Sequence, residues 1–384
     1  TVACLPVLAA GIGDPFDTDA MAPLKPSPQL SARVGAAPCA TAIPATALTA
    51  LDAVDLALCN HPQTREVWAS ARVQAALLGV AKAGWLPNLD GSASATRFQY
   101  DDARFNRRTA ALTLSWLLVD FGQRSANVEN AQQLLNAAAA TQDATVQSLF
   151  LAALQTYYSA QATQAAVISA SEAERSARES YQAADARYNV GVATPADRLQ
   201  AQTALSQATL NRIRAEGEAR NALGALANAL GFPAQQTIVL AAMPAMPAEL
   251  AFQKEIDALI AEAQLRRPDL KAAEAQFKAA EASVDLARAQ GRPTVSLAAG
   301  PSWQNSVGVV TQGGSIGLTL NVPLFSGFDT TYRVRSAAAQ ADVRAAQRDR
   351  IKNQIALDVW RAYQSLTTAT QSLKTAADLV ASAE

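Results

Sequence analysis

Residues 112–122 read LTLSWLLVDFG, and residues 318–327 read LTLNVPLFSG, so that Leu112-Thr113-Leu114 returns as Leu318-Thr319-Leu320 after 206 positions. The same spacing of 206 carries His61-Pro62 onto Arg267-Pro268, Leu86-Pro87 onto Arg292-Pro293, and Tyr157 onto Tyr363. One gap-free register over such a distance marks an internal duplication, and a fixed period is the first thing to seek in a sequence because it sets the architecture. A further match, Asp120-Phe121-Gly122 against Phe325-Ser326-Gly327, needs a slip of one residue.

Within each copy the residue pattern changes period twice. From Leu48 to Ala83 the chain is alanine-rich and helical, and Gly84 with Pro87 ends the run. Beyond it, Ala110, Leu112, Leu114 and Trp116 alternate with Ala111, Thr113 and Ser115, giving a strand with one apolar face and one small or polar face. The second copy repeats this with Ile316, Leu318, Leu320 and Val322 against Gly317, Thr319 and Asn321. We therefore expect a β-hairpin over 89–121 and another over 294–325, each strand of roughly 10 to 12 residues, the length of a tilted strand that crosses a bilayer. Between the first two strands, Asp101, Asp102, Arg104, Asn106, Arg107 and Arg108 suit an exposed, extracellular loop. A half-buried soluble hairpin would show the same alternation.

No Pro or Gly interrupts Gln123 to Tyr188, which permits a helix of roughly 100 Å at 1.5 Å per residue. Val146, Leu149, Phe150, Ala153, Leu154 and Tyr157 recur at three and four residues along it, a coiled-coil-like stripe. Asn189 to Pro195 breaks the helix, and Ala196 to Leu230 runs back to Gly231 and Pro233, completing a helical hairpin over 123–230. The second copy gives a long helix over 328–384. The counterpart of the tip Arg187 to Asp197 would fall near positions 393 to 403, so the natural protein is expected to be longer, with the returning helix of the second copy absent here. The domain reading is thus a signal remnant and extended linker over 1–47, a first repeat over 48–233, a linker over 234–251 and a second repeat over 252–384.

Composition narrows the function. The 32 Lys and Arg balance 33 Asp and Glu for a net charge of −1, which gives no electrostatic reason to hold nucleic acid. Half the chain is apolar, yet no run of 18 apolar residues occurs, which leaves membrane strands, not a membrane helix, as the way across a bilayer. Val2 to Ala10 reads as the end of an export signal, with Val2-Ala3-Cys4 as a weaker lipidation alternative because Thr1 stands where such a box has Leu. In an oxidising compartment Cys39 and Cys59 make a candidate disulfide worth about 3 kcal/mol, with two buried thiols as the plain alternative. His61 is the sole histidine, and no Cys-x-x-Cys, phosphate loop or nucleophile elbow occurs, so we expect no metal, no cofactor and no enzyme.

Four membrane-length strands cannot close a barrel, and an open edge in lipid leaves backbone groups unpaired. Copies of the chain must then unite, and three copies give twelve strands and a useful lumen. The duplication, the Leu86-Pro87 step, LTLSWLLVDFG over 112–122 and RYNVGVATPADRLQAQ over 187–202 resemble the TolC-like outer-membrane efflux and secretion channels. The resemblance covers residues 48 to 384 and implies an α+β membrane protein, a homotrimer whose 12-stranded β-barrel in outer-membrane lipid continues as a periplasmic α-helical barrel. It also implies a periplasmic adaptor and an inner-membrane pump or ABC transporter as partners. By the same resemblance, Val190, Gly191, Val192, Ala193, Thr194 and Pro195 form the adaptor-docking tip, and Asp197 is a candidate pore gate. A ring of three such carboxylates would select against anions. The bland readings are a plain helix–helix turn and a first-turn Asp favoured by the helix dipole. The competing functions are a periplasmic adaptor, which needs one hairpin flanked by halves of a lipoyl-like domain, and a structural coiled coil, which the strand pairs oppose.

Overall fold

The computed structural model describes residues 14–23, 42–44, 46–101, 103–242 and 255–383. The signal remnant with Cys4, the expected disulfide partner Cys39, Asp102 and the linker beyond residue 242 lie outside these.

The elements follow the order α1 (Thr18–Met21), α2 (Ala50–Asn60), α3 (Pro62–Ala83), β1 (Asn88–Tyr100), β2 (Ala103–Val119), α4 (Gln123–Asn189), α5 (Pro195–Ala229), α6 (Ile256–Arg266), α7 (Pro268–Ala289), β3 (Thr294–Ser306), β4 (Val309–Asn321) and α8 (Asp329–Ala383). Adding 206 to the bounds of α2, α3 and β1 gives those of α6, α7 and β3, so the duplication in sequence is a duplication of local structure.

Three expectations need correction. The run Leu48 to Ala83 is two helices, because proline disfavours a helical residue before it and lacks the N–H that a continuing helix needs. His61 is accordingly extended (φ −63°, ψ 131°), as is Arg267 (φ −66°, ψ 125°) in the second copy. The charged loop of the first hairpin is mostly strand: Tyr100 pairs with Ala103, and Arg104, Asn106, Arg107 and Arg108 belong to β2. Cross-strand contacts hold this extension, with Phe98 stacked on Phe105 at 5.1 Å and the Arg107 guanidinium 4.8 Å from the Phe98 ring. Third, no slip is needed between Phe121-Gly122 and its copy. Positive φ angles at Phe121 (49°) and Gly122 (105°) match those at Gly327 (62°) and Phe328 (66°), 206 residues on, with glycine and phenylalanine exchanged.

The chain divides into two compact units. The first comprises residues 1–23, 69–141 and 252–384. It holds a four-stranded antiparallel sheet in the order β1-β2-β3-β4, so β1 and β4 are open edges. Its helical part packs through small residues. Seven alanines of α7 are buried, and Ala75, Leu78 and Ala81 of α3 meet Ala131 and Leu135 of α4. Side chains this small let helix axes approach closely, which favours dispersion contacts over large single anchors.

In the second unit, residues 24–68 and 142–251, Leu48, Val54, Leu56, Leu149, Tyr157, Leu226 and Leu230 form the core. Each fully buried leucine contributes roughly 1.5–3 kcal/mol. The core is closed by polar groups that find partners. Tyr157 Oη donates to the Leu48 carbonyl at 2.9 Å and accepts from Gln161 Nε2 at 3.2 Å, while Leu48 forms a parallel bridge with Leu240. Thr49 and Asp52 make a capping box that starts α2. Cys59, near the end of α2, is disulfide-bonded.

Candidate functional site

The turn between α4 and α5 is built by local chemistry. Gly191 (φ 79°) takes the left-handed conformation that ends a helix at least cost, and its N–H donates to the Tyr188 carbonyl at 2.9 Å while Val192 N–H donates to that of Arg187 at 2.9 Å. These two bonds are the Schellman pattern, which satisfies carbonyls a helix end would leave orphaned. Thr194 then caps α5, its Oγ1 accepting from Asp197 N–H at 3.2 Å, and Pro195 occupies the tolerated first-turn position. The flanking apolar pair stays in solvent, Val190 at 74 % and Val192 at 73 % exposure. Nothing lies within 4 Å of a side chain added at Gly191, so the turn presents an unobstructed apolar tip.

Asp197 closes the same box. Its Oδ2 accepts from Thr194 N–H at 2.9 Å and from Thr194 Oγ1 at 2.7 Å. The Thr194 backbone and side-chain bonds outweigh desolvation and hold this carboxyl below its ordinary value, so it is charged at neutral pH. Its capping role is therefore fully accounted for within the turn. Behind the tip, Arg198 pairs with Asp185 at 3.2 Å, and Arg212 bonds Glu174, which also accepts from Thr209 at 3.0 Å, fixing the register of α5 on α4.

The sheet shows a second organised surface. Residues paired across strands share a face. Leu89, Leu114, Ala299 and Ile316 lie in one row, with Trp116, Leu297 and Leu318 in the next and Val295 and Leu320 beyond. This face is apolar and widely exposed, including Leu89, Leu112, Trp116, Ile316, Leu318 and Leu320. The opposite face carries Asp90, Ser92, Ser94, Thr109, Thr113, Ser115, Gln304, Thr311, Ser315 and Thr319. The apolar band over rows 295 to 303 of β3, itself mostly half-buried on that strand, spans nine residues of a tilted strand, close to the roughly 25 Å band of a membrane barrel.

Where β2 becomes α4, Asp120 and Arg124 form a buried ion pair that the sequence reading did not single out. Arg124 Nε donates to Asp120 Oδ2 at 2.9 Å, its Nη1 and Nη2 donate to the Leu117 and Leu118 carbonyls at 2.6 and 3.0 Å, and its guanidinium lies 4.2 Å from the Trp85 ring. An arginine one turn after an aspartate across a strand-to-helix step was the available signal. Among the described residues, no group of three or more His, Cys, Asp or Glu could hold a metal ion, and no helix is long and apolar enough to cross a membrane.

A sheet with one lipid-compatible face and two open edges, joined in sequence to long helices, defines a membrane export-channel chain. It belongs to the outer membrane efflux protein family, whose pattern it matches over residues 53–232 and 259–384. Protein CyaE of Bordetella pertussis is 35 % identical over 336 residues, covering 85 % of this chain and 70 % of CyaE. The solvent efflux pump outer membrane protein SrpC of Pseudomonas putida is 26 % identical over 314 residues, covering 76 % of this chain and 64 % of SrpC. Among solved structures, CusC superposes with a TM-score of 0.74 at 21 % identity, covering 87 % of this chain and 79 % of that one. The CmeC outer membrane channel of Campylobacter jejuni gives 0.69 at 20 % identity, covering 86 % and 75 %. The fold is thus that of outer-membrane channels, and the export-channel reading stands over the adaptor and coiled-coil alternatives.

Proposed function

We propose that three copies of this chain close a twelve-stranded barrel in the outer membrane, that their helices extend into the periplasm, and that the assembly is a passive export duct without catalysis. The observation that carries this is the four-stranded sheet. Its apolar face suits lipid, its polar face suits a water-filled lumen, and its unpaired β1 and β4 edges need each other in neighbouring copies. The turn at Val190 to Pro195 is the docking point for a periplasmic adaptor, which links the duct to an inner-membrane pump or ABC transporter. Exposed valines on a rigid Schellman turn supply that adaptor with an apolar knob of fixed shape. Asp197 supplies negative charge near the same end, and three copies would favour cations there. Cargo is a small toxic compound or a secreted polypeptide.

Oligomer mass of the full protein in detergent, together with conductance in planar bilayers, tests this reading. A trimer that conducts supports it, and a water-soluble monomer that leaves bilayers silent removes it.

A further inference from the structure

At the hairpin-turn end of β1 and β2, the face that is apolar lower down becomes basic. Above the row of Ala93, Ala110 and Trp303, Ala95 pairs with Arg108, which pairs with Asn305 and through it Val310, then Arg97 with Asn106, then Gln99 with Arg104. The change occurs within one row. Arg97, Arg104 and Arg108 are all exposed on this face, and among the described residues none of them is in an ion pair. Of the hairpin's carboxylates among the described residues, Asp90 shares the opposite face with Thr113, and Asp101 sits in the turn. Arg107 also belongs to that opposite face, stacked against Phe98. The three arginines thus follow an apolar band that ends in Trp303, an amphipathic ring of the kind that settles at a membrane–water boundary.

We infer that Arg97, Arg104 and Arg108 bind anionic, phosphate-bearing lipid headgroups in the leaflet nearest the hairpin turns. This rests on the barrel reading, in which the apolar face meets acyl chains. Charge complementarity argues for this occupant. A guanidinium fork matches phosphate oxygens bidentately, and three forks on successive rows beside the acyl region present themselves at headgroup height. A protein partner would call for several apolar anchors among the charges, whereas this patch is filled out by Gln99, Asn106 and Asn305, with Val310 at its β4 margin as the single large exposed apolar side chain among the described residues of these rows.

The test reconstitutes the full assembled protein into phosphatidylcholine bilayers containing phosphatidic acid and counts co-extracted lipids by native mass spectrometry. Phosphatidic acid should be enriched over phosphatidylcholine, less so at high salt, and each arginine changed to glutamine should lower the enrichment roughly five-fold. The variant carrying Arg97→Gln, Arg104→Gln and Arg108→Gln should lose it, while Arg107→Gln keeps it. If the triple variant does not insert, the three single variants are read the same way. No enrichment, or enrichment that survives these changes, overturns the inference. Insertion into pure phosphatidylcholine is the separate check: failure of the unaltered protein there rejects the barrel itself, and the lipid site with it.

Discussion

Asp120 accepts a 2.9 Å hydrogen bond from Arg124 at the buried step from β2 to α4, whereas the equivalent positions in the second repeat hold Ser326 and Thr330, with hydroxyls 3.4 Å apart. The stacking partner differs in the same sense. Trp85 lies over Arg124, and its counterpart Gly291 leaves no room for a side chain, since an added Cβ would come within 2.6 Å of Thr330 Cγ2. One ancestral junction has diverged into a charged latch and a small-residue contact.

Removing one charge from the latch strands the other. We expect Arg124→Ala to lower stability by about 3–5 kcal/mol, and Asp120→Ser with Arg124→Thr together to cost less than Arg124→Ala alone. Thermal unfolding of the assembled protein in detergent reads both.

The latch also sets an acid limit. Burial works against ionisation of Asp120, but bonds from the Arg124 backbone and guanidinium and from Gly122 N–H outweigh it and hold the carboxyl below its ordinary 3.8. A depressed carboxylate contributes stability that is complete above the unfolded value and is lost as pH falls through the lower folded value. The melting advantage of the unaltered protein over Asp120→Asn should therefore be constant near neutrality and shrink below about pH 4. An advantage that grows in acid would show that the charge is not what the site stabilises.

Two left-handed glycines separate backbone strain from steric conflict. Gly191→Ala meets nothing within 4 Å and should cost only the left-handed conformation, about 1–2 kcal/mol. Gly231→Ala also places a Cβ 2.7 Å from the Asn60 carbonyl carbon and 2.9 Å from His61 N, so it should melt distinctly lower than Gly191→Ala. Equal melting temperatures would mean that the Gly231 turn yields freely.

Most of the fold was readable because each element type has its own period and the repeat supplied a second copy of every element up to the long helix. Breaks at Pro62 and Pro268 were missed as helix ends because the apolar pattern runs through them, although the proline itself predicts the extended residue before it. The first hairpin's tip was misread because arginines count as loop residues by composition. Parity, which puts Arg104 and Arg108 on one face and Arg107 on the other, becomes visible only with strand register. At the helical tip the turn chemistry of Gly191, Thr194 and Pro195 was local and therefore legible. A pore role for Asp197 was not, since a capping carboxylate and a pore carboxylate look alike in sequence and the structure shows only the cap.

Docking and gating separate by substitution at that tip. Val190→Asp or Val192→Asp should abolish export while leaving assembly intact, as measured by cargo release from cells and by oligomer mass. Asp197→Asn should keep α5 started while reducing the cation preference of the open pore. Unchanged selectivity would leave Asp197 as a helix cap alone.

The most direct test of the central claim places an environment-sensitive fluorescent amino acid at each of positions 315 to 320 of the membrane-reconstituted protein, with a lipid-borne and an aqueous quencher applied in turn. Lipid quenching should peak at positions 316, 318 and 320, and aqueous quenching at 315, 317 and 319. Quenching that does not alternate, or that alternates in the opposite phase, would contradict a sheet that sets its apolar face against lipid.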